Sequence, residues 1–128
     1  MKTIRTIFLV DDDASVRSGL SRLLETAGYT VRSFASRDEY LTQASPLPGS
    51  CVVMDARMPG SEFKSLKPVR QGGEEEIPMI IITADDDPSV RRKAKKMNAA
   101  AFFHKPIDGP ALIDAIEWAA AGEIGDEN

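Results

Sequence analysis

Acidic residues stand directly after the first and the third short apolar runs of this sequence. Asp11, Asp12 and Asp13 follow residues 7–10, and Asp55 follows the third run. Carboxylates gathered at one place repel one another unless a cation neutralises them, so we expect a metal ion between them. Oxygen ligands suit a hard divalent cation, and Mg²⁺ takes one or two carboxylates and completes its shell with water and phosphate oxygens. These residues therefore predict a site for a divalent cation and a phosphate.

Two residues suited to phosphoryl transfer stand at the next two apolar runs. Thr83 ends the fourth run and Lys105 follows the fifth. A carboxylate can attack a phosphoryl group to give an aspartyl phosphate, and cations and hydrogen-bond donors aimed at the transferred oxygens stabilise the transition state. Lys105 offers a cation, and Thr83 and the backbone N–H of Ala84 offer donors. Each residue type is also common at strand ends or on solvated surfaces, so the functional interpretation rests on their coincidence.

The elements that must position these residues alternate regularly along the chain. The predicted strands are residues 7–10, 29–34, 51–54, 79–82 and 101–104. Apolar residues at helical spacing separate them, namely Val16, Leu20, Leu23 and Leu24 in the first helix, Val90, Ala94 and Met97 in the fourth, and Leu112, Ala115, Ile116 and Ala119 in the fifth. Continuous apolar strands predict an α/β fold, a doubly wound parallel sheet covered by helices on both faces. The ligand site of such a sheet lies beyond the carboxyl ends of its strands.

The segment of residues 60–78 is an exception to this regular pattern. Pro68 would break a helix of any length, and residues 71–76, Gln-Gly-Gly-Glu-Glu-Glu, are loop-like. We therefore expect a short or distorted third helix around residues 62–66. The end of the fourth helix is clearer, because Asn98 tolerates the left-handed conformation that ends many helices.

The composition is that of one ordinary domain. The chain has 128 residues and 42% hydrophobic content, which is enough for a core without disulfides, and the single Cys51 favours a cytoplasmic location. A net charge of −4 opposes attraction to nucleic acid, and no apolar run approaches the roughly 20 residues of a membrane span. We expect one domain over residues 1–121, a polar tail at 122–128, and no direct binding to nucleic acid or membrane.

The motifs together resemble the receiver domain of two-component response regulators, over about residues 5–121. They are Phe-Leu-Val-Asp-Asp-Asp at 8–13, Val-Met-Asp-Ala-Arg-Met-Pro-Gly at 53–60, Ile-Ile-Ile-Thr-Ala at 80–84 and Phe-Phe-His-Lys-Pro at 102–106. The residues around Ala27, Phe34 and Asp55 further resemble receivers of the FixJ type, which commonly precede a helix-turn-helix DNA-binding domain. The resemblance implies a five-stranded, flavodoxin-like (βα)5 fold with strand order 2-1-3-4-5.

The resemblance assigns roles to the acidic residues. Asp55 would be the phosphoacceptor. Asp12, Asp55 and the backbone carbonyl of Arg57 would bind Mg²⁺ or Mn²⁺, and Asp11 would act mostly through metal-bound water. Phosphate would come from a sensor histidine kinase or from a small donor such as acetyl phosphate. The domain would catalyse its own phosphorylation and dephosphorylation and would not be an enzyme acting on a separate substrate.

The resemblance also implies a switch. Thr83 and Lys105 would contact the phosphoryl oxygens, and the peptide between Lys105 and Pro106 would be cis. The Thr83 hydroxyl would move inward and vacate space for Phe102, the aromatic residue of the fifth strand, although plain core packing is the simpler interpretation of that ring. The surface of the fourth helix, fifth strand and fifth helix would then change, and would form a homodimer or control a DNA-binding output domain C-terminal to this chain.

Two charged residues beside the site could set how long the phosphate lasts. Arg57 stands two residues after the acceptor, and Asp85 stands two residues after Thr83. Their charges could pair across the mouth of the site and hinder an attacking water, whereas the alternative is two unrelated solvated charges. Neighbouring His104 is not expected to carry phosphate. The basic residues of the fourth helix, Arg91, Arg92, Lys93, Lys95 and Lys96, are interpreted as its solvated outer face.

Two other functions fit parts of the sequence. Residues 11–15 match the Asp-x-Asp-x-Ser nucleophile motif of haloacid-dehalogenase-type phosphatases, in which Asp11 would be the nucleophile. That interpretation leaves residues 55–59 unexplained. A phosphate-blind receiver would act purely as an interaction module, although the intact acids, Thr83 and Lys105 argue against it. Labelling by acetyl phosphate separates these functions, because a receiver is labelled at Asp55 and the phosphatase at Asp11.

Overall fold

The computed structural model describes residues 4–45, 48–56, 69–71, 75–96 and 98–125. The elements are Thr6–Val10 (β1), Ala14–Thr26 (α1), Thr30–Phe34 (β2), Arg37–Gln43 (α2), Ser50–Asp55 (β3), Val69–Gln71 (β4), Glu75–Ile77 (β5), Met79–Thr83 (β6), Pro88–Lys96 (α3), Ala101–His104 (β7) and Gly109–Gly125 (α4). Strands β1, β2, β3, β6 and β7 are the five predicted strands, and α3 and α4 are the predicted fourth and fifth helices. The expected helix around residues 62–66 lies outside the described residues.

Five strands form one parallel sheet in the order β2-β1-β3-β6-β7. This is the predicted order 2-1-3-4-5, and it confirms the flavodoxin-like fold. Every residue of β3 is buried, because the strand lies at the centre of the sheet with helices over both faces. The parallel pairing brings the carboxyl ends of β1, β3, β6 and β7 to one edge of the sheet.

Two apolar clusters hold the sheet from its two faces. The cluster that includes α2 and α3 contains Phe8, Val10, Phe34, Tyr40, Val52, Met54, Ile81, Val90 and Ala94. The cluster that includes α1 and α4 contains Ile7, Leu9, Leu20, Leu24, Val53, Ile80, Ile82, Leu112 and Ile116. Successive strand residues point to opposite faces, so Ile81 and Ile82 belong to different clusters. The predicted inner faces of α3 and α4 are confirmed at the described positions, and Met97 lies outside them.

The ends of the helices follow local hydrogen bonding. Asp13 begins α1, because its side chain accepts hydrogen bonds from the backbone N–H groups of Ser15 at 2.8 Å and Val16 at 3.3 Å. Asn98 has a φ of 65°, the left-handed conformation that the sequence predicted after α3. The cap on α1 matters for the site, because it fixes the first turn of the helix immediately after the acidic residues.

The prediction of a loop at residues 71–76 was wrong at both of its ends. Val69–Gln71 and Glu75–Ile77 pair as antiparallel strands, with Val69 opposite Ile77 and Gln71 opposite Glu75. Two glycines between short segments are also a hairpin signal, and the three-residue strands carry too few side chains to show an alternating pattern. At the other end of the chain, α4 extends to Gly125 and so enters the segment expected to be a polar tail. Among the described residues, no helix has the length and apolar character needed to cross a membrane.

Candidate functional site

Strand register brings the predicted site residues to the same edge of the sheet. Val10 of β1 is opposite Met54 of β3, so Asp11 and Asp55 come next on adjacent strands. Asp55 itself is opposite Ile82, the residue before Thr83. Lys105 follows the last residue of β7, and its backbone N–H donates to the Thr83 carbonyl at 2.7 Å. The carboxyl ends of four neighbouring strands therefore bring together Asp11, Asp55, Thr83 and Lys105 at one edge of the sheet.

Lys105 connects the acidic residues of two strands. Its Nζ lies 2.8 Å from Asp11 Oδ2 and 3.1 Å from Asp55 Oδ2. Asp11 is fully buried and Asp55 is 4% exposed, so this ammonium balances charge where water has little access. Burial lowers the pKa of Lys105, but hydrogen bonds and the charges of Asp11 and Asp55 outweigh burial and raise it. Lys105 is therefore a cation at neutral pH.

Three carboxylates form a group that could hold a metal ion. One oxygen each from Asp11, Asp12 and Asp55 lies within 4.8 Å of the others. Asp12 is exposed while the other two are buried, so a cation here would have carboxylates on its inner side and water on its outer side. Among the described residues, Asp11 Oδ2 accepts no hydrogen bond besides its 2.8 Å ion pair with Lys105, which leaves it coordination capacity. This oxygen-only donor set fits Mg²⁺ or Mn²⁺.

The backbone around Asp11 is held by several elements. Its N–H donates to the Phe34 carbonyl of β2 at 3.1 Å, and its side-chain Oδ1 accepts from the N–H of Asp13 at 2.9 Å. Its carbonyl accepts from Nη1 of Arg17, on the first turns of α1, at 2.7 Å. Arg17 was not among the predicted site residues, because a single arginine on a helix gives no pattern from which this contact could be predicted.

Thr83 is fully buried, and its hydroxyl is tied to the loop that follows β6. Thr83 Oγ1 accepts from the backbone N–H of Asp85 at 2.9 Å. Asp85 Oδ1 in turn accepts from the N–H of Asp87 at 2.8 Å, and Asp87 Oδ1 accepts from the N–H of Ser89 in α3 at 2.9 Å. A continuous series of hydrogen bonds therefore joins the threonine to the start of α3.

Two residues of β7 contact the α3 side of the molecule. Phe102 is half-buried and packs against the cluster below α2 and α3, and the guanidinium carbon of Arg91 lies 4.8 Å from its ring centroid. His104 Nε2 lies 2.6 Å from Asp86 Oδ1 in the loop before α3. Neither contact was predicted, because each joins residues that lie far enough apart in sequence to share no local pattern.

The remaining predicted site residues are only partly described. The peptide between Lys105 and Pro106 is cis, as the resemblance implied. Asp85 lies in the loop beside Thr83. Arg57 lies outside the described residues, so the expected ion pair between them stays a prediction. The site that is described thus contains acidic residues, a half-buried ammonium and a buried hydroxyl.

An apolar groove opens beside this site. It has a volume of about 490 Å³ and lies between α1 and the segment that connects β7 to α4. Its lining residues include Val16, Gly19, Leu20, Lys105, Pro106 and Ile107. Lys105 therefore belongs both to the groove and to the acidic site.

The chain matches known proteins of one family. The model of the response regulator receiver domain matches residues 7–117. The transcriptional regulatory protein FixJ of Azorhizobium caulinodans is 36% identical over 111 residues, which are 86% of this chain and 52% of that protein. FixJ of Bradyrhizobium diazoefficiens is 34% identical over 119 residues, 93% of this chain and 58% of that protein. The chain thus spans about half the length of these curated relatives.

The fold comparison agrees with the sequence comparison. The crystal structure of FixJ-N superposes with a TM-score of 0.76 at 32% identity, and the match covers 91% of this chain and 93% of that one. The match therefore extends over most of both chains.

Proposed function

Because this chain belongs to the response regulator receiver domain family, we propose that Asp55 accepts a phosphoryl group and that this switches the surface formed by α3, β7 and α4. The observation that carries the proposal is the placement of the Lys105 ammonium, which lies within 3.1 Å of Asp55 and 2.8 Å of Asp11. A cation beside a buried carboxylate is already positioned for the negative charge that phosphoryl transfer develops. The chain is a receiver domain of the response regulator family, and the candidate groups among its described residues are Asp11, Asp12, Asp55, Thr83 and Lys105.

The proposed reaction is an in-line transfer. A carboxylate oxygen of Asp55 attacks phosphorus and forms a P–O bond, and the P–N bond of a phosphohistidine donor breaks. The electron pair of that bond stays on the imidazole nitrogen of the donor. Lys105 keeps its proton and contacts a transferred oxygen, while the Thr83 hydroxyl donates to another. A divalent cation bound by Asp11, Asp12 and Asp55 would neutralise charge on the same phosphoryl oxygens.

The switch follows from where Thr83 is held. Its oxygen accepts from the N–H of Asp85, and its own O–H is available to donate to a phosphoryl oxygen. Drawing this hydroxyl toward Asp55 pulls on the loop before α3 and changes the space beside Phe102. The matched part of this chain covers 52% and 58% of the two relatives named as transcriptional regulators. We therefore propose that the altered α3, β7 and α4 surface forms a homodimer or controls a DNA-binding output domain.

The donor is proposed to be a sensor histidine kinase, and the groove beside α1 suits its docking. The groove is largely apolar and Lys105 is one of its lining residues, so a protein seated in it would present a phosphohistidine near the acidic residues. A small donor such as acetyl phosphate would reach Asp55 without using the groove. Uptake from these two donors can therefore be separated by a substitution in the groove.

The lifetime of the phosphate is proposed to depend on Arg57 and Asp85. Hydrolysis requires a water molecule to attack phosphorus from the open side of the site. Asp85 lies on the loop that begins at Thr83, and a charge pair with Arg57 would narrow that opening. The domain would then set its own rate of dephosphorylation through these two side chains.

Labelling with acetyl phosphate and Mg²⁺ tests the proposal. Mass spectrometry should show one added phosphoryl group, peptide mapping should place it on Asp55, and Asp55→Asn should remove it. Asp55→Asn also keeps the size of the side chain, so circular dichroism can confirm that the variant folds. Labelling at Asp11 would instead support a phosphatase, and the absence of labelling in a folded wild-type chain would support a phosphate-blind module. Asp11 and Asp55 contact the same ammonium, so the labelled residue is what separates the two functions.

A further inference from the structure

The peptide units on both sides of Asp12 are held by side chains, although Asp12 itself is exposed. The carbonyl of the peptide between Asp11 and Asp12 accepts from Nη1 of Arg17 at 2.7 Å. The N–H of the peptide between Asp12 and Asp13 donates to Asp11 Oδ1 at 2.9 Å. We propose that Arg17 is a positioning residue that fixes the first of these peptides and so keeps the Asp12 carboxylate in the group that binds the divalent cation. The inference rests on the cation site of the proposed function.

Arg17 reaches this peptide because of its place in α1. Side chains of a helix lean toward its N-terminus, and Arg17 comes one turn after the N-cap residue Asp13, so its guanidinium extends back past the start of the helix. Its backbone N–H donates to the Asp13 carbonyl at 3.0 Å, while its side chain donates to the Asp11 carbonyl. One residue of the helix therefore holds two carbonyls of the acidic segment.

The orientation of the peptide between Asp11 and Asp12 sets the direction in which Asp12 leaves the backbone. A peptide unit is planar, so a bond to the Asp11 carbonyl also fixes the nitrogen of Asp12. Asp11 itself is buried and has a further anchor in the contact of its carboxylate with Lys105. Asp12 has no comparable burial. Its flanking peptides therefore keep one of its oxygens within 4.8 Å of those of Asp11 and Asp55.

Arg17 differs from Lys105 in the kind of oxygen that it contacts. Lys105 pairs with carboxylate oxygens of Asp11 and Asp55, which are atoms that a metal ion could use. Arg17 instead donates to a backbone carbonyl, so it orders the acidic segment while leaving the carboxylates to the cation. A hydrogen bond from an ionised donor is also stronger than one between neutral groups, which makes a guanidinium an effective anchor for this carbonyl.

The hydrogen bond and the charge of Arg17 act on cation binding with opposite signs. Loss of a residue that supports a metal ligand weakens metal binding by about 10-fold or more, so positioning predicts weaker Mg²⁺ binding in Arg17→Met. The charge alone would repel a divalent cation, so its removal would strengthen binding. Salt also separates the two effects, because at about 1 M salt exposed charges are screened beyond about 3 Å, whereas a lost hydrogen bond is not restored.

The experiment measures the rise in melting temperature of the full chain with added MgCl₂. Arg17→Met should need about 10-fold more MgCl₂ than wild type for the same rise, both at low salt and at about 1 M KCl. Arg17→Lys keeps a charged donor on a flexible stem and should recover part of the difference. Arg22→Met is the matched control, because Arg22 is an exposed residue of the same helix at a position rotated by about 140° from Arg17. It should match wild type.

The dependence of phosphorylation on Mg²⁺ tests the same role through the reaction. With acetyl phosphate as donor, Arg17→Met should raise the Mg²⁺ concentration for half-maximal rate by about 10-fold. The rate at saturating Mg²⁺ should stay close to that of wild type, because Asp55, Thr83 and Lys105 are unchanged. A general structural defect would instead lower the rate at every Mg²⁺ concentration, and that result would contradict a positioning role.

Amide hydrogen exchange of the Asp13 N–H gives a measurement that needs neither metal nor phosphate. Arg17→Met should speed this exchange, because the peptide that precedes Asp12 is no longer held, and Arg22→Met should not. Equal MgCl₂ dependence in these two variants, or tighter binding in Arg17→Met, would overturn the inference. If Arg17→Met weakens Mg²⁺ binding while wild type takes up no phosphate, the role of Arg17 stands and the proposed function of Asp55 fails. If wild type is labelled at Asp55 while the two variants behave alike, the role of Arg17 fails alone.

Discussion

The two halves of the site are held in different ways. The acidic half, Asp11 and Asp55 with the Lys105 side chain, is buried and joined by short ion pairs between β1, β3 and β7. The switching half, Thr83 with the loop of residues 84–87, is anchored by hydrogen bonds within the loop and by an exposed pair to β7. Preorganised charge lowers the barrier for chemistry, whereas elements that move must have few buried contacts. The acidic half therefore contains the residues that react, and the switching half contains the residues that move in response.

The largest effect is expected when the cation of the acidic half is removed. Lys105→Met should slow phosphorylation by acetyl phosphate about 100- to 1,000-fold, the usual cost of losing one group that stabilises transition-state charge. The same change should lower the free energy of unfolding by about 2 kcal/mol, because Asp11 and Asp55 lose the ammonium that contacts both. Stopped-flow or radiolabel kinetics measure the first effect and denaturant unfolding measures the second.

The stability effect also has a defined pH window. The pKa of Lys105 is raised in the folded chain, so its contribution is fully present below the unfolded lysine pKa of about 10.4 and is lost as pH rises through the higher folded value. The difference in stability between wild type and Lys105→Met should therefore be constant from about pH 6 to 9 and shrink above about pH 10.4. A difference that shrank below pH 9 would show that another group provides the stabilisation. Normal phosphorylation of a folded Lys105→Met chain would contradict the assignment of the acidic half.

The second-largest effect concerns the cation site. Asp12 is the exposed member of the carboxylate group, so Asp12→Asn should fold. Loss of a residue that only supports a metal ligand weakens metal binding by about 10-fold or more. Loss of Asp12, a ligand itself, should therefore weaken Mg²⁺ binding by at least about 10-fold. The melting temperature of wild type should rise with added MgCl₂ by mass action, and the variant should need a higher concentration for the same rise. Asp13→Asn is the matched control, because Asp13 caps α1 and lies outside the carboxylate group. Equal responses in both variants would contradict a site at Asp12.

Phosphorylation by a histidine kinase and by acetyl phosphate should depend differently on the groove beside α1. Gly19 lines the groove, and a Cβ added at this position would meet no other atom within 4 Å, so Gly19→Glu should fold while placing a charged side chain in an apolar groove. Phosphorylation by the histidine kinase that transfers fastest to wild type should fall about 10-fold, the effect of burying one poorly matched group at an interface. Phosphorylation by acetyl phosphate should not change. Gly19→Ala is the control and should be neutral with both donors; equal loss with both donors would show damage to the site itself.

The sequence predicted the acidic half better than the switching half. Asp11, Asp55, Thr83 and Lys105 follow continuous apolar strands, and in a parallel sheet the strand ends must meet at one edge. The helix end at Asn98 follows from an equally local pattern, whereas the strand order was implied by the resemblance of the motifs to the receiver family. What determines the acidic half is therefore visible in short stretches of sequence.

The contacts of the switching half depend on tertiary structure instead. Arg91 with Phe102 and Asp86 with His104 join two elements across a distance that no local spacing encodes. The hairpin of β4 and β5 was also mispredicted, because three-residue strands have no periodicity to read and their pairing is a property of the folded chain. Arg17 was missed for a related reason, since its hydrogen bond is to a backbone carbonyl, which every residue has.

The smallest effect is expected at Asp85, in the loop of the switching half. Its backbone N–H holds Thr83 and its carboxylate receives the N–H of Asp87, so Asp85→Ala removes a charge from the mouth of the site while leaving the bond to Thr83 in place. If this charge hinders the attacking water, the autodephosphorylation rate should change by about two- to three-fold, the size expected for one solvated charge. Arg57→Ala should shift the rate in the same direction, and the double variant should add little to either change if the two charges act as a pair. Additive changes would instead assign each residue an independent effect on the water. Unchanged rates in both single variants would contradict a role of these two charges in the phosphate lifetime.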